Sequence, residues 1–94
     1  MNSFLNRTAL LIGESSLERL KQSHVLVVGV GGVGGFAAEF LCRSGIGHFT
    51  IIDGDNIDIS NINRQIIALH SNAGESKVEV MRKRMSDINP NATI

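Results

Sequence analysis

The apolar residues of this chain fall into short uninterrupted runs and longer periodic stretches, and their alternation predicts an α/β fold. Val25, Leu26, Val27 and Val28 follow one another with no polar break, the pattern of a buried parallel strand. The run passes into Gly29-Val-Gly-Gly-Val-Gly34. From about Gly32 to Ser44 the periodicity is helical, with Val33, Ala37, Phe40, Leu41 and Ser44 near one face and Ala37 and Ala38 permitting close packing. Glu39 and Arg43, four apart on this helix, read as a surface pair. Gly45 suits the position after a helix end, Gly47 loosens the next turn, and Phe49-Thr-Ile-Ile-Asp53 reads as a second buried strand. Strand, glycine turn, helix and strand make a βαβ unit, for which a right-handed crossover is expected.

The flanking stretches extend this unit. Residues 1–13 are a mixed lead-in, and Glu14 to Gln22 predicts a short helix with Leu17 and Leu20 on one face, suited to covering the sheet. His24, at the edge of the first strand, is expected to be satisfied or solvent-facing. Ile66 to Leu69 is an apolar patch that should pack, and His70 to Gly74 is a loop by its turn residues. From Glu75 onward an amphipathic helix buries Val78, Met81, Met85 and Ile88, while Arg82, Lys83 and Arg84 gather towards its C-terminal half, where the helix dipole favours cations. Asn89 before Pro90 ends that helix, because proline pushes its predecessor out of helical geometry, and Ala92-Thr-Ile94 begins a third strand. The predicted fold is a Rossmann-like βαβ nucleotide-binding fold with an incomplete parallel sheet. Residues 1–23 are its lead-in and short helix, and 24–94 its Rossmann-like part.

Composition narrows the partners. A chain of 94 residues forms one domain at most, burying roughly two thirds of its unfolded surface. A complete dinucleotide-type sheet needs more strands, so the chain reads as the N-terminal part of one larger ATP-binding domain, with open edges that favour self-association. Nine basic and nine acidic residues cancel, which leaves no general electrostatic footprint for nucleic acid and predicts no DNA partner. The single cysteine, Cys42, excludes an internal disulfide and fits a reducing cytoplasm; with no second Cys or His at metal spacing it reads as packing. No stretch is long and apolar enough to span a bilayer, and Asn2, Asn6 and Arg7 break the order of a signal peptide. A cytoplasmic protein without a membrane partner is expected. Repeats, low-complexity segments, a Cys/His metal set and a nucleophilic serine elbow are all absent from the sequence.

The candidate chemistry begins at the glycines. Gly29, Gly31 and Gly34 have the GxGxxG spacing of a phosphate cradle: the first two allow a tight turn and close backbone approach, and the third lets the helix pack on the strand. The first free N–H groups of that helix then point at an anion. Asp53, ending the second strand, can accept hydrogen bonds from ribose hydroxyls of either a nicotinamide cofactor or ATP. The stretch Asp53-Gly-Asp-Asn-Ile-Asp-Ile-Ser-Asn-Ile-Asn-Arg-Gln65 carries more functional side chains than a connecting loop requires, and an anion site would explain them. Lys77 falls in the first turn of the last helix, where the dipole disfavours a cation, and from there it can project towards a bound polyphosphate. A nicotinamide-dependent oxidoreductase accounts for Gly29 to Gly34 and Asp53 but leaves Arg64, Gln65 and Lys77 unexplained.

Together, Gly29-Val-Gly-Gly-Val-Gly34, Asp53-Gly-Asp55, Ser60-Asn-Ile-Asn-Arg-Gln65, Gly74-Glu-Ser-Lys77 and Ile88-Asn-Pro90 resemble the ATP-binding half of the ubiquitin-activating-type adenylating enzymes (ThiF/MoeB/HesA). That superfamily includes the adenylyltransferases of molybdopterin and thiamine biosynthesis. Within it, Arg7-Thr-Ala-Leu-Leu-Ile-Gly13 and Asn61-Ile-Asn-Arg-Gln-Ile-Ile-Ala-Leu-His70 look most like the bacterial tRNA threonylcarbamoyladenosine dehydratases, whereas sulfur-carrier enzymes usually show Leu-Gln before the arginine. The resemblance implies ATP with Mg²⁺. It sets Gly29, Gly31, Gly32 and Gly34 against the nucleotide, Asp53 on the ribose, and Asn61, Arg64, Gln65 and Lys77 along the triphosphate, with Asp55 a further acid near the phosphates. Arg7 matches an arginine that crosses a homodimer to the partner's ATP. The implied reaction is attack of a substrate carboxylate on the α-phosphorus of ATP, with Arg64, Lys77 and the partner's Arg7 offsetting the meeting of two anions. The carboxylate would belong to a modified adenosine of a tRNA in the dehydratases, or to a sulfur-carrier protein in the others. In the family a second acid associated with Mg²⁺, a cysteine and the substrate-binding half would fall after Ile94, so this chain alone is expected to be weakly active or inactive.

Overall fold

Val25 to Val28 lie in a strand, extended by one residue at its start. The computed structural model describes residues 3–94; Met1 and Asn2 lie outside them. Helices α1 (Asn6–Ile12) and α2 (Glu14–Gln22) precede β1 (His24–Val28), α3 (Gly32–Arg43) links it to β2 (His48–Ile52), and α4 (Lys77–Ile88) follows. The strands pair in parallel, from His24 opposite His48 to Val28 opposite Ile52. The Phe49 amide donates to the Thr93 carbonyl at 2.8 Å and the Thr93 amide to Gly47 at 2.9 Å, so the expected third strand starts as a single parallel bridge beside β2. The result is an α/β fold with an open parallel sheet.

One face of the sheet is covered. Val27 and Phe49, with partly buried Val25 and Ile51, meet Ala38 and Cys42 of α3, Met81 and Met85 of α4, and Val30, Ile57 and Ile67 from the connections. The other face is open: Leu26 is 60%, Val28 72% and Ile52 51% exposed. The expectation of a buried strand is therefore met by alternate residues only. An uninterrupted apolar run shows what a strand tolerates on both sides, and no described element lies over the second side.

Helix α3 presents a different face from the one its large residues suggest. Gly35, Ala38, Glu39 and Cys42 are buried, while Val33, Phe36 and Phe40 are exposed. The small side chains let the helix axis come close to the sheet, and the buried set still follows helical spacing. Glu39 is consequently no surface residue. Its carboxylate accepts from Arg43 Nε at 3.3 Å and also from Arg84 Nε of α4, and it is 5% exposed.

The lead-in is helical from Asn6, although this short helix buries none of its own residues and Leu10 and Leu11 are exposed. Helix α2 lies at the edge of the core, where only Leu20 reaches it. It packs beside α1 and on the turn after α3, where Leu5 and Leu17 approach Gly45 and the Lys21 carbonyl stands against Gly47. His24 is exposed and meets the Thr50 hydroxyl at 2.8 Å. In α4, Ser76 caps the first turn, Met81 and Met85 are fully buried, and Asn89 ends the helix, in agreement with the periodicity. His70 to Asn72 form a single 3₁₀ turn rather than an irregular loop.

Cys42 is fully buried, its thiol hydrogen-bonded to the Met85 carbonyl at 3.3 Å, and burial pushes its pKa up. Thiolate is the reactive form. Cys42 in the native chain is therefore expected to resist a disulfide reagent such as DTNB and to react at the rate of a free thiol once urea unfolds the chain. Fast native-state labelling would contradict this packing.

No described helix is long and apolar enough to cross a membrane.

Candidate functional site

The turn after β1 continues the sheet ladder by one bond, from the Gly29 amide to the Ile52 carbonyl at 2.7 Å, and then reverses. Gly29 takes φ +84°, a conformation that side-chain-bearing residues rarely adopt. At Gly34, a Cβ would stand 1.7 Å from the Gly29 carbonyl oxygen, so the helix start lies directly on the turn. The first bond of α3 runs from the Gly35 amide to Gly31 at 2.9 Å; the amides of Gly32, Val33 and Gly34 have no acceptor among the described residues. These are the donors that a helix N-terminus offers to an anion.

Asp53 latches this turn. One carboxylate oxygen accepts the Val30 amide at 3.0 Å, and the other accepts the Asp55 amide at 2.8 Å. The Asp55 carbonyl in turn accepts the Lys77 amide at 3.1 Å, so three hydrogen bonds tie the glycine turn to the first residue of α4. Pairing of Asn56 with Ser76, and the bond from the Ile57 amide to the Glu75 carbonyl at 2.8 Å, hold the same two segments together. Lys77 is buried, and its ammonium group forms no ion pair among the described residues.

Gln65 approaches from the other side. Its carboxamide would lie 3.2 Å from a Cβ on Gly31, and its Oε1 is buried without a hydrogen-bond partner. A buried acceptor left unmatched costs free energy, and a ligand donor would relieve it. Asn61, also buried, accepts the Asp58 amide at 2.8 Å and so closes a capping box around the 3₁₀ turn Ile59–Asn61. Within that turn Asp58 accepts from the Ser60 hydroxyl and amide, and these bonds, with the charge of Lys77, hold its carboxyl below the ordinary value. Arg64 is exposed and folds onto its own loop, donating to Asn63 Oδ1 at 3.0 Å and to the Ser60 carbonyl at 3.3 Å. Asp55 leaves its carboxylate exposed.

Gly29 to Gly34, Asp53 and Gln65 are thus brought together, with Asp55 and Lys77 joining through their backbones and Asn61 and Arg64 on the adjoining loop. Arg7 is not. It sits on α1 two residues after Leu5, which packs on Gly45 at the far end of α3. A cavity of about 570 Å³ also lies at that far end, lined by Phe4, Lys21, His48 and Pro90 among others, and shares no residue with the glycine turn. Two features escaped the sequence reading: the Val30 amide held by Asp53, which no pattern announces, and the burial of Glu39. The latter did leave a signal, since Gly35, Ala38, Glu39 and Cys42 fall at i, i+3, i+4 and i+7.

A glycine turn latched by an acid at the carboxyl end of parallel strands defines a Rossmann-like nucleotide-binding class of fold. Residues 5–94 match the ThiF family, and the chain belongs to it. It is 52% identical over 89 residues to the tRNA threonylcarbamoyladenosine dehydratase of Bacillus subtilis, covering 95% of this chain and 35% of that protein. Against the molybdopterin-synthase adenylyltransferase of Salmonella typhimurium the identity is 42% over 77 residues, with 82% of this chain and 31% of the other covered. The crystal structure of the Escherichia coli tRNA N6-threonylcarbamoyladenosine dehydratase TcdA in complex with ATP superposes with a TM-score of 0.92 at 48% identity, over 95% of this chain and 37% of that one. The chain spans about a third of the length of these relatives.

Proposed function

We propose that this chain is the N-terminal part of one ATP-binding adenylation domain that activates a substrate carboxylate, acting in the cyclising dehydration of threonylcarbamoyladenosine on tRNA. The observation that carries this reading is the hydrogen-bonded relay from the glycine turn through Asp53 and Asp55 to the main-chain amide of Lys77, which ties the start of a helix bearing a buried lysine to a turn built to receive phosphate. A nicotinamide cofactor, whose pyrophosphate the glycine turn and helix start already serve, leaves that lysine unexplained. The dehydratase is favoured over a sulfur-carrier adenylyltransferase by the higher identity to the former, 52% against 47% and 42%.

In this reading the free amides of Gly32, Val33 and Gly34 and the Gly31 backbone take the phosphates, Gln65 Oε1 accepts from the nucleotide, and Asp53 exchanges an amide bond for ribose hydroxyls. Lys77 lies along the triphosphate. Asn61 borders it, and Arg64 swings from its loop to join it. The substrate carboxylate attacks the α-phosphorus, pyrophosphate leaves, and the developing charge is met by Lys77, Arg64 and, in a homodimer, the partner's Arg7. Mg²⁺ would enter with the phosphates, since the described residues gather no cluster of three ligating side chains, and the exposed Asp55 carboxylate beside the relay would share it.

Calorimetric titration with ATP, AMP and NAD tests this. ATP is expected to bind about tenfold more tightly than AMP, the worth of one charge-assisted contact to the outer phosphates, and NAD more weakly than either. Lys77→Ala should remove that advantage of ATP and leave AMP affinity within about twofold. Preference for NAD, or an unchanged ATP affinity in the variant, would overturn the assignment.

A further inference from the structure

We propose that the Glu39–Arg84 ion pair is a positioning device that sets Lys77 at its working depth beside the glycine turn. This rests on the nucleotide reading of that site. Helix α3 starts at the glycine turn and α4 starts at Lys77, each is 12 residues long, and Glu39 and Arg84 are each the eighth residue of their helix. Both helices follow parallel strands and pack side by side, so they point the same way. At a rise of about 1.5 Å per residue, the pair joins them at equal distances of about 10 Å from their two N-termini. A slide of one helix along the other would move Lys77 relative to the cradle by the same amount.

The apolar contact between these helices is poorly suited to prevent such a slide. On the α4 side its fully buried residues are Met81 and Met85, unbranched chains that adapt to many arrangements. On the α3 side stand Ala38 and Cys42, small residues that offer few ridges. The directional bonds across this interface are the Cys42 thiol to the Met85 carbonyl, near the far ends, and Glu39 to Arg84. Arg43 occupies the second carboxylate oxygen from the same helix as Glu39, so it fixes the carboxylate's orientation for Arg84. A buried polar pair that selects one register among several apolar packings is a recognised use of such pairs.

The test separates register from stability. The variants are Arg84→Lys, which keeps the charge and loses the planar fork, and the double replacement Glu39→Leu with Arg84→Met, which keeps the volume apolar and so need not destabilise. ATP and AMP affinities are measured for each by calorimetry, with the thermal midpoint as a check of folding. In the folded variants ATP affinity is expected to fall about three- to tenfold while AMP changes by less than about twofold, because the glycine turn and Asp53 stay in place. An unchanged ratio of ATP to AMP affinity, or equal losses of both, would overturn the proposal. Should the double variant not fold, Arg84→Lys decides alone. A parent chain with no preference for ATP over AMP would instead overturn the underlying nucleotide reading, and this proposal with it.

Discussion

Gly34→Ala is expected to destabilise the chain by about 3 kcal/mol or more and to abolish nucleotide binding in whatever fraction still folds, because a single methyl strikes the backbone of the phosphate turn. The added Cβ would meet the Gly29 carbonyl oxygen at 1.7 Å and its carbon at 2.9 Å, and neither is the end of a side chain that can rotate away. Relief requires α3 to lift from β1 or the turn to open. Either movement breaks the Val30 bond to Asp53 and scatters the free amides of the first helical turn. Gly32→Ala is the matched control. Nothing lies within 4 Å of its Cβ and its φ is not positive, so its unfolding free energy should stay within about 0.5 kcal/mol of the parent. Urea unfolding of the two variants side by side measures the contrast, and equal effects would mean that the helix does not lie on the turn in solution.

Glu39→Gln is expected to cost about 2 kcal/mol at neutral pH and progressively less in acid. Breaking a buried pair by removing one partner typically costs about 3–5 kcal/mol, and the smaller figure reflects the 39% and 52% exposure of the Arg84 and Arg43 side chains. The hydrogen bond from Arg84, followed by the charges of both arginines, holds the Glu39 carboxyl below its ordinary value of 4.5 despite the opposing effect of burial. A carboxyl whose native value is lowered contributes its full stabilisation above the ordinary value and loses it as pH falls through the native one. The parent and the variant should therefore differ most at pH above about 5 and converge below 4.5. Chemical denaturation across that range reads the difference directly. A gap that persists into strong acid would show that Glu39 acts by shape and not by charge.

The first expected effect falls where sequence and structure agree, and the second where they part company. The glycine turn, the two strands and the Met81–Met85 stripe were legible because each is a local matter: a spacing, a run, a period. The face of α3 was not, since large apolar residues dominate a pattern while glycine and alanine decide how near two backbones can come. The periodicity accordingly puts Val33 and Phe40 on the packed face in place of Gly35 and Cys42, although it does single out Ala38 as a close-packing position. For the candidate site, the sequence singles out Lys77 as a cation placed against its helix dipole. Its main-chain amide is tied to the carbonyl of Asp55, and no side-chain pattern encodes that. Arg64 and Arg7 illustrate a second limit. Their residue types fit the chemistry, but an exposed arginine bonded to its own loop, or carried on a short helix at the far end of the domain, takes up a role only in company with a ligand or another subunit.

The uncovered side of the sheet has a colloidal corollary. Leu26, Val28 and Ile52 present a greasy stripe on a molecule with nine charges of each sign and an isoelectric point near 6.8, so identical molecules meet at neutral pH with almost no repulsion to keep them apart. Solubility then depends on the buffer more than on fold stability, and a shift of the medium well to either side of neutrality restores the mutual repulsion that the composition withholds.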